Sequence, residues 1–219
     1  MKRYKHFIFD IDGTLIDNES ANLLAFQRAL QDEGICRALA DLRFSLGIPG
    51  KVSMERLGAA DVDAAVRRWG VHYQRLAADG MVKPFSGITE MLRVLKDGGH
   101  ILGIVTSKNR AEYLDEFCKS WGFAALFDGY ICSDDTANPK PHAEPLLTIL
   151  ERLQIEAKDT LYLGDSVYDM QCANAAGVDF GAALWGAVSR EALTNCAVRL
   201  ETPAEVPLYR ETLLFQSDL

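Results

Sequence analysis

The chain has 219 residues with a hydrophobic fraction of 48% and a charged fraction of 25%, the make-up of an ordinary globular protein with room for a core and an insertion in one or two domains. Its net charge of -8 and the absence of any run of Lys or Arg argue against a nucleic-acid or acidic-membrane partner, because a polyanion attracts a protein through a concentrated basic patch. No stretch approaches the roughly 18 apolar residues of a membrane span, and the N-terminal segment through His6 runs straight into a short apolar strand without the features of a secretory signal.

The first predicted element is that strand. Phe7, Ile8 and Phe9 suit a strand buried on both faces, as in a parallel sheet. It ends in Asp10-Ile11-Asp12-Gly13-Thr14, two carboxylates one residue apart at the position where open α/β sheets bind ligands. Taken alone, Asp-Gly also marks a plain turn.

Residues 16–82 read as helical. Leu23, Leu24, Phe26, Ala29 and Leu30 recur at helical spacing, Asn18 or Ser20 is placed to cap the start and Gly34 to stop it. A break follows at Gly47-Ile48-Pro49-Gly50, then a second helix over 61–78 through Val62, Ala65, Val66, Trp69, Tyr73 and Leu76. Beyond Lys83-Pro84 helices and strands alternate: helix 86–97, strand 100–105, helix 110–121, strand 129–132, helix 142–153, strand 160–163, helix 168–176, strand 178–184, a short apolar piece 197–200 and a polar C-terminal helix. That alternation predicts right-handed crossovers and a mainly parallel, Rossmann-like sheet. The fold class is therefore α/β, with a core domain of residues 1–15 and 83–219 interrupted after its first strand by a small all-helical domain, 16–82. The five cysteines, Cys36, Cys118, Cys132, Cys172 and Cys196, are odd in number and lack close pairing, which fits buried thiols in a reducing cytoplasm.

Three more polar clusters fall at strand ends. Thr106-Ser107-Lys108-Asn109 offers hydroxyls that can donate to a phosphoryl group or cap a helix. Asn138-Pro139-Lys140-Pro141-His142 holds a lysine between two prolines, suited to neutralising a carboxylate or phosphoryl oxygen, or simply an exposed loop lysine. Gly164-Asp165-Ser166-Val167-Tyr168-Asp169 brings two further carboxylates, hard donors suited to magnesium or, for Asp165, a helix cap. Four such clusters on one sheet edge point to one site.

Together the Asp10-Ile-Asp12-Gly-Thr, Thr106-Ser107, Lys140-Pro141 and Gly164-Asp165-Ser-Val-Tyr-Asp169 segments resemble, in order, the four motifs of the haloacid dehalogenase superfamily, over about residues 7–185. The helical insertion resembles the cap of the branch that holds phosphoglycolate phosphatases, pyrophosphatases and β-phosphoglucomutases. The resemblance implies that Asp10 is a nucleophile forming an aspartyl-phosphate and that Asp12 is the general acid and base. It further implies that Thr106 and Ser107 bind the phosphoryl group and that Lys140 steadies Asp10. Mg2+ would be held by Asp10, Asp165 and the Asp12 main-chain carbonyl, with Asp169 as ligand or support. Asp12 favours phosphoryl transfer over dehalogenation. A phosphomutase shares the same core, a phosphonatase would use a cap lysine near Lys51, and a receiver-like phospho-acceptor domain would not carry the insertion. The expectation is a magnesium-dependent phosphatase of a small phosphorylated metabolite, as a monomer or homodimer. The loop 46–53 is the cap segment expected to approach the substrate, with Arg43 and Lys51 meeting an anionic tail.

Overall fold

In the computed structural model, which describes residues 2–46, 48 and 50–212, the chain divides into two compact units, Met1–Leu15 with Phe85–Leu219, and Ile16–Pro84. Gly47 and Pro49, the breaks assigned to the 46–53 loop, lie outside the described residues.

In the first unit, β1 (His6–Phe9) is the centre of a six-stranded sheet. The chain returns to it after the helical unit through α5 (Ile88–Asp97), β4 (Ile101–Val105), a helical run beginning at α6 (Arg110–Glu112), and β5 (Gly129–Ile131). It then passes through α7 (Glu144–Leu153), β6 (Thr160–Gly164), α8 (Val167–Ala176), β7 (Asp179–Ala183) and β8 (Val198–Leu200). The spatial order is β5-β4-β1-β6-β7-β8, and every neighbouring pair is parallel. β4 and β5 build outward on one side of β1, while β6, β7 and β8 build outward on the other. The order therefore reverses beside β1, the place where α/β sheets hold ligands. Phe9 pairs with Ile104 on one side and Leu163 on the other, so Asp10, Val105 and Gly164 sit level just past the pairing.

Both faces of this sheet are covered, which is why β1 is a continuous apolar run with Phe7, Ile8 and Phe9 fully buried. One face packs Ile8, Val105, Ile131, Tyr162 and Phe180 against Leu146 and Ile149 of α7 and Met170, Cys172 and Ala173 of α8.

The second unit holds β2 (Ile16–Asp17), α1 (Glu19–Gln31), α2 (Leu39–Leu42), α3 (Gly50–Leu57), α4 (Val62–Ala78) and β3 (Lys83–Pro84). Its core gathers Leu23, Phe26, Leu30, Leu42, Met54 and Leu57, with the Phe26 and Trp69 rings stacked at 5.0 Å. Asp61 caps α4 by accepting from the Ala64 amide at 3.0 Å.

Several local expectations are corrected. The side chain of Asn18 makes no cap bond on α1, and its amide instead donates to the Tyr73 hydroxyl, 3.2 Å away. The block 16–82 opens on a strand, Ile16–Asp17, that pairs antiparallel with Lys83–Pro84 just beyond it, and it holds a helix, α3, that the broken sequence before it conceals. The run after Arg110 widens into π-type turns over Tyr113–Cys118. The polar C-terminal helix is replaced by 3₁₀ turns over Pro203–Tyr209, because Pro207 inside the segment withholds an amide that an α-helix needs there. Its last part, 213–219, lies outside the described residues. All five cysteines are free; Cys132 and Cys172 are buried, whereas Cys36 is exposed. Among the described residues no helix is long and apolar enough to cross a membrane.

Ile149 is fully buried beneath the sheet, so Ile149→Ala should cost about 2–5 kcal/mol, the usual range for deleting a core aliphatic side chain. A denaturant midpoint unchanged from wild type would contradict this placement.

Candidate active site

Asp10 follows β1 directly, and its amide donates to the Leu163 carbonyl at 2.9 Å, extending the β1–β6 pairing by one step. Its carboxylate is 6% exposed as a residue and accepts from Lys140 Nζ at Oδ1, 2.9 Å away. Lys140 also donates to Asp169 Oδ1 at 2.6 Å and lies 3.3 Å from the Tyr162 hydroxyl. One buried ammonium thus joins two carboxylates from different strand ends. Burial alone would lower the lysine pKa, but Asp10 and Asp169 beside it carry it the other way, above its ordinary value.

Asp169 stands in the first turn of α8, where it and Ser166 form a reciprocal cap. Its Oδ1 accepts from Lys140 and, at 2.8 Å, from the Tyr162 hydroxyl. Its Oδ2 accepts from the Ser166 hydroxyl at 2.5 Å and the Ser166 amide at 3.1 Å. Four donors therefore fill the four lone-pair positions of this carboxylate.

Asp165 completes the acidic group: oxygens of Asp10, Asp165 and Asp169 all lie within 4.8 Å of one another. Its Oδ1 accepts from Thr14 Oγ1 at 3.0 Å. Burial, then the nearby charges of Asp169 and Asp10, hold its pKa well above the usual carboxylate range. Asp10 is likewise pushed up to about 7, by burial first, with Lys140 opposing and Asp169 and Asp12 adding to it. Three carboxylates with one lysine leave an excess of negative charge in a confined space. Oxygen donors with that excess fit a hard divalent cation.

The remaining sequence-predicted residues divide into two groups. Thr106 is buried at the end of β4, with its Oγ1 accepting from the Lys108 amide at 3.2 Å; Ser107, next to it, is exposed. Asp12 is partly exposed, with Oδ1 3.3 Å from Lys108 Nζ. Arg43 and Lys51 lie in the helical unit, each in an exposed ion pair, Arg43 with Glu19 and Lys51 with Asp63, both at 2.7 Å.

Other participants were not anticipated. Tyr162, the one polar ring in an apolar strand, is fully buried, and its hydroxyl also lies 3.1 Å from the Val105 carbonyl. The segment after β7 braces the Asp-Gly-Thr turn: Trp185 Nε1 donates to the Thr14 carbonyl at 2.8 Å, and a Cβ at Gly186 would come within 1.8 Å of the Gly13 carbonyl oxygen. Gly13 itself has φ +80°, and a Cβ there would meet Asp165 Oδ2 at 2.3 Å, so no side chain fits between the turn and that carboxylate.

Comparison with known proteins agrees with this architecture. Residues 7–183 match the haloacid dehalogenase-like hydrolase family, and the chain belongs to it. A phosphoglycolate phosphatase of Xylella fastidiosa is 35% identical over 190 residues, covering 84% of this chain and 82% of that protein. The pyrophosphatase PpaX of Bacillus velezensis is 28% identical, covering 84% and 85%. A solved structure from Lactobacillus plantarum, proposed to be a phosphoglycolate phosphatase, superposes with a TM-score of 0.84 at 31% identity, covering 93% of this chain and 98% of that one.

The raised carboxylates make a pH-dependent prediction. A group whose folded pKa lies above its unfolded value gives stability that is present at low pH and lost as pH rises, here between the ordinary Asp value and about 7 for Asp10. A cation that binds the ionised carboxylates offsets this loss. The rise in melting temperature produced by an added divalent cation should therefore grow from about pH 5 to about pH 8. A rise that is constant or shrinks over that range would contradict the burial of these charges.

Proposed function

We propose that the protein is a magnesium-dependent phosphatase of a small phosphorylated metabolite, acting through an aspartyl-phosphate on Asp10. The observation that supports this most is the placement of Asp10, buried at the centre of the sheet edge, with Lys140 on Oδ1 and Asp165 close by.

A carboxylate attacks a phosphate ester poorly because like charges repel. Lys140 offsets that repulsion, and by holding Oδ1 it leaves Oδ2 to attack phosphorus. Thr106 and Ser107, at the end of β4, bind the phosphoryl oxygens as donors. Asp12 donates a proton to the leaving oxygen, then takes one from the water that hydrolyses the aspartyl-phosphate. Asp10, Asp165 and the Asp12 main-chain carbonyl would hold Mg2+, which supplies positive charge at the phosphoryl oxygens. Asp169 has its lone pairs filled by Lys140, Tyr162 and Ser166; its part in this scheme is to position Lys140.

The names of the relatives point to small anionic phosphates, phosphoglycolate or pyrophosphate, as the substrate class to try first. In the helical unit Arg43 and Lys51 are the proposed contacts for an anionic tail. Their replacement by Ala should lower turnover of the native substrate more than that of an aryl phosphate, because only the former has a tail to lose.

The direct test measures phosphate release from phosphoglycolate, pyrophosphate and sugar phosphates. Chelation of divalent cations should abolish it and Mg2+ restore it. Asp10→Asn should show none, and Asp12→Asn should slow it about 10²- to 10⁴-fold. Turnover that survives in Asp10→Asn would refute the assignment of the nucleophile.

A further inference from the structure

We infer, on the phosphatase reading above, that Trp185 is a positioning residue for the divalent-cation site: its indole N–H fixes the main chain of Thr14, and the Thr14 hydroxyl in turn fixes the carboxylate of Asp165.

The three clustered carboxylates are not held alike. Asp169 accepts four hydrogen bonds, and Asp10 accepts from Lys140. Asp165 accepts from one donor among the described residues, Thr14 Oγ1 at 3.0 Å, while the charges of Asp169 and Asp10 act against it from nearby. It offers the cluster an oxygen within 4.8 Å of those of Asp10 and Asp169. The aim of that oxygen therefore depends on where Thr14 stands.

Thr14 is fully buried, and its main chain is pinned at both ends. Its amide donates to the Ile11 carbonyl at 3.2 Å, and its carbonyl accepts from Trp185 Nε1 at 2.8 Å. A β-branched side chain has little freedom about χ1, so a fixed backbone also fixes the direction of the hydroxyl.

Trp185 is itself held by a part of the sheet that carries none of the other candidate site residues. It follows β7, and on either side of it the Leu184 amide donates to the Leu200 carbonyl of β8 at 2.9 Å and the Gly186 amide to the Ala183 carbonyl at 3.3 Å. Gly186 lies so close to the turn that a Cβ on it would come within 1.8 Å of the Gly13 carbonyl oxygen. The outer strands β7 and β8 are thus tied to the Asp-Gly-Thr turn, and through Thr14 to the carboxylate that follows β6.

A brace that only stabilises the fold lowers the melting temperature and leaves cation affinity as it was. A brace that aims a ligand weakens binding. It weakens binding more for Mg2+, which demands near-ideal octahedral geometry, than for Ca2+, whose coordination is flexible.

The test follows the rise in melting temperature with cation concentration, which yields Kd without turnover, for Mg2+ and for Ca2+ at about pH 8. Trp185→Phe, which keeps an aromatic ring and loses the N–H, should weaken Mg2+ about 10-fold and Ca2+ less. Thr14→Val, close in shape but without the hydroxyl, should weaken Mg2+ at least as much, and Thr14→Ser, which keeps the donor, should retain most of the wild-type affinity. In a Thr14→Val background Trp185→Phe should add no further loss. If Trp185→Phe does not fold, benzothienylalanine in place of Trp185, with sulfur where the indole carries its N–H, makes the same comparison. An unchanged Mg2+ Kd in Trp185→Phe, equal losses on both ions, or losses that add in the double variant would each overturn the proposal. A wild-type protein stabilised by neither ion would instead overturn the cation site itself, and the proposal with it.

Discussion

The arrangement of the core site depends on a single ammonium, Lys140 Nζ, held between Asp10 and Asp169 with its side chain only 4% exposed. Bringing a lysine and two carboxylates out of water carries a desolvation cost that their attraction offsets only when geometry and further hydrogen bonds are favourable. Here the extra bonds come from Tyr162 and Ser166. Even so, the charges do not balance, because Asp165 adds a third carboxylate without a second cation of its own among these partners. Such a cluster makes poor sense as a device for stability. It fits the cage proposed above for a divalent cation, whose positive charge would balance the surplus carboxylate.

The sheet makes this imbalance tolerable by distributing it. Asp10, Thr106, Asp165 and Asp169 come from three neighbouring strand ends, β1, β4 and β6, each held level by the register of Phe9 with Ile104 and Leu163. Their positions are thus set by main-chain pairing deep in the core and not by the loops alone. The loops are in turn braced from outside, as by Trp185 on the Thr14 carbonyl. Rigid support of this kind is what allows a carboxylate to be aimed at an atom instead of being solvated.

How much of this was legible in the sequence follows from the range of the interactions involved. The α/β alternation could be read because strand and helix periodicities are local, and the acidic strand ends because apolar runs stop abruptly at them. Phe7 to Phe9, followed by Asp10 and Asp12, is such a signal. Tyr162 gave no signal beyond being a polar ring in an apolar strand, since Lys140 and Val105 beside its hydroxyl are 22 and 57 residues away. Trp185 and Gly186 are more remote still, 171 residues separating Trp185 from Thr14. Asn18 illustrates the opposite error: a good local capping residue was claimed by Tyr73 on another helix, tertiary contact overriding local propensity. The helix α3 was hidden because it starts at Gly50, immediately after residues that read as a break. The C-terminal segment departs from its polar helical pattern because of one residue, Pro207, inside it.

The junctions of the helical unit carry a consequence for how such a chain can change. The Phe85 amide donates to the Leu15 carbonyl at 3.1 Å, and Ile16 pairs with Pro84, so the outgoing and incoming strands of the detour touch where it begins and ends. To the α/β unit, everything between them is a closed loop whose length costs little, since loop-closure entropy grows only with the logarithm of residue number. Helices in that loop can be lengthened, replaced or rebuilt by drift without shifting the register of Phe9 with Ile104 and Leu163. The helical unit is thereby free to diversify while the α/β unit stays constrained by its sheet.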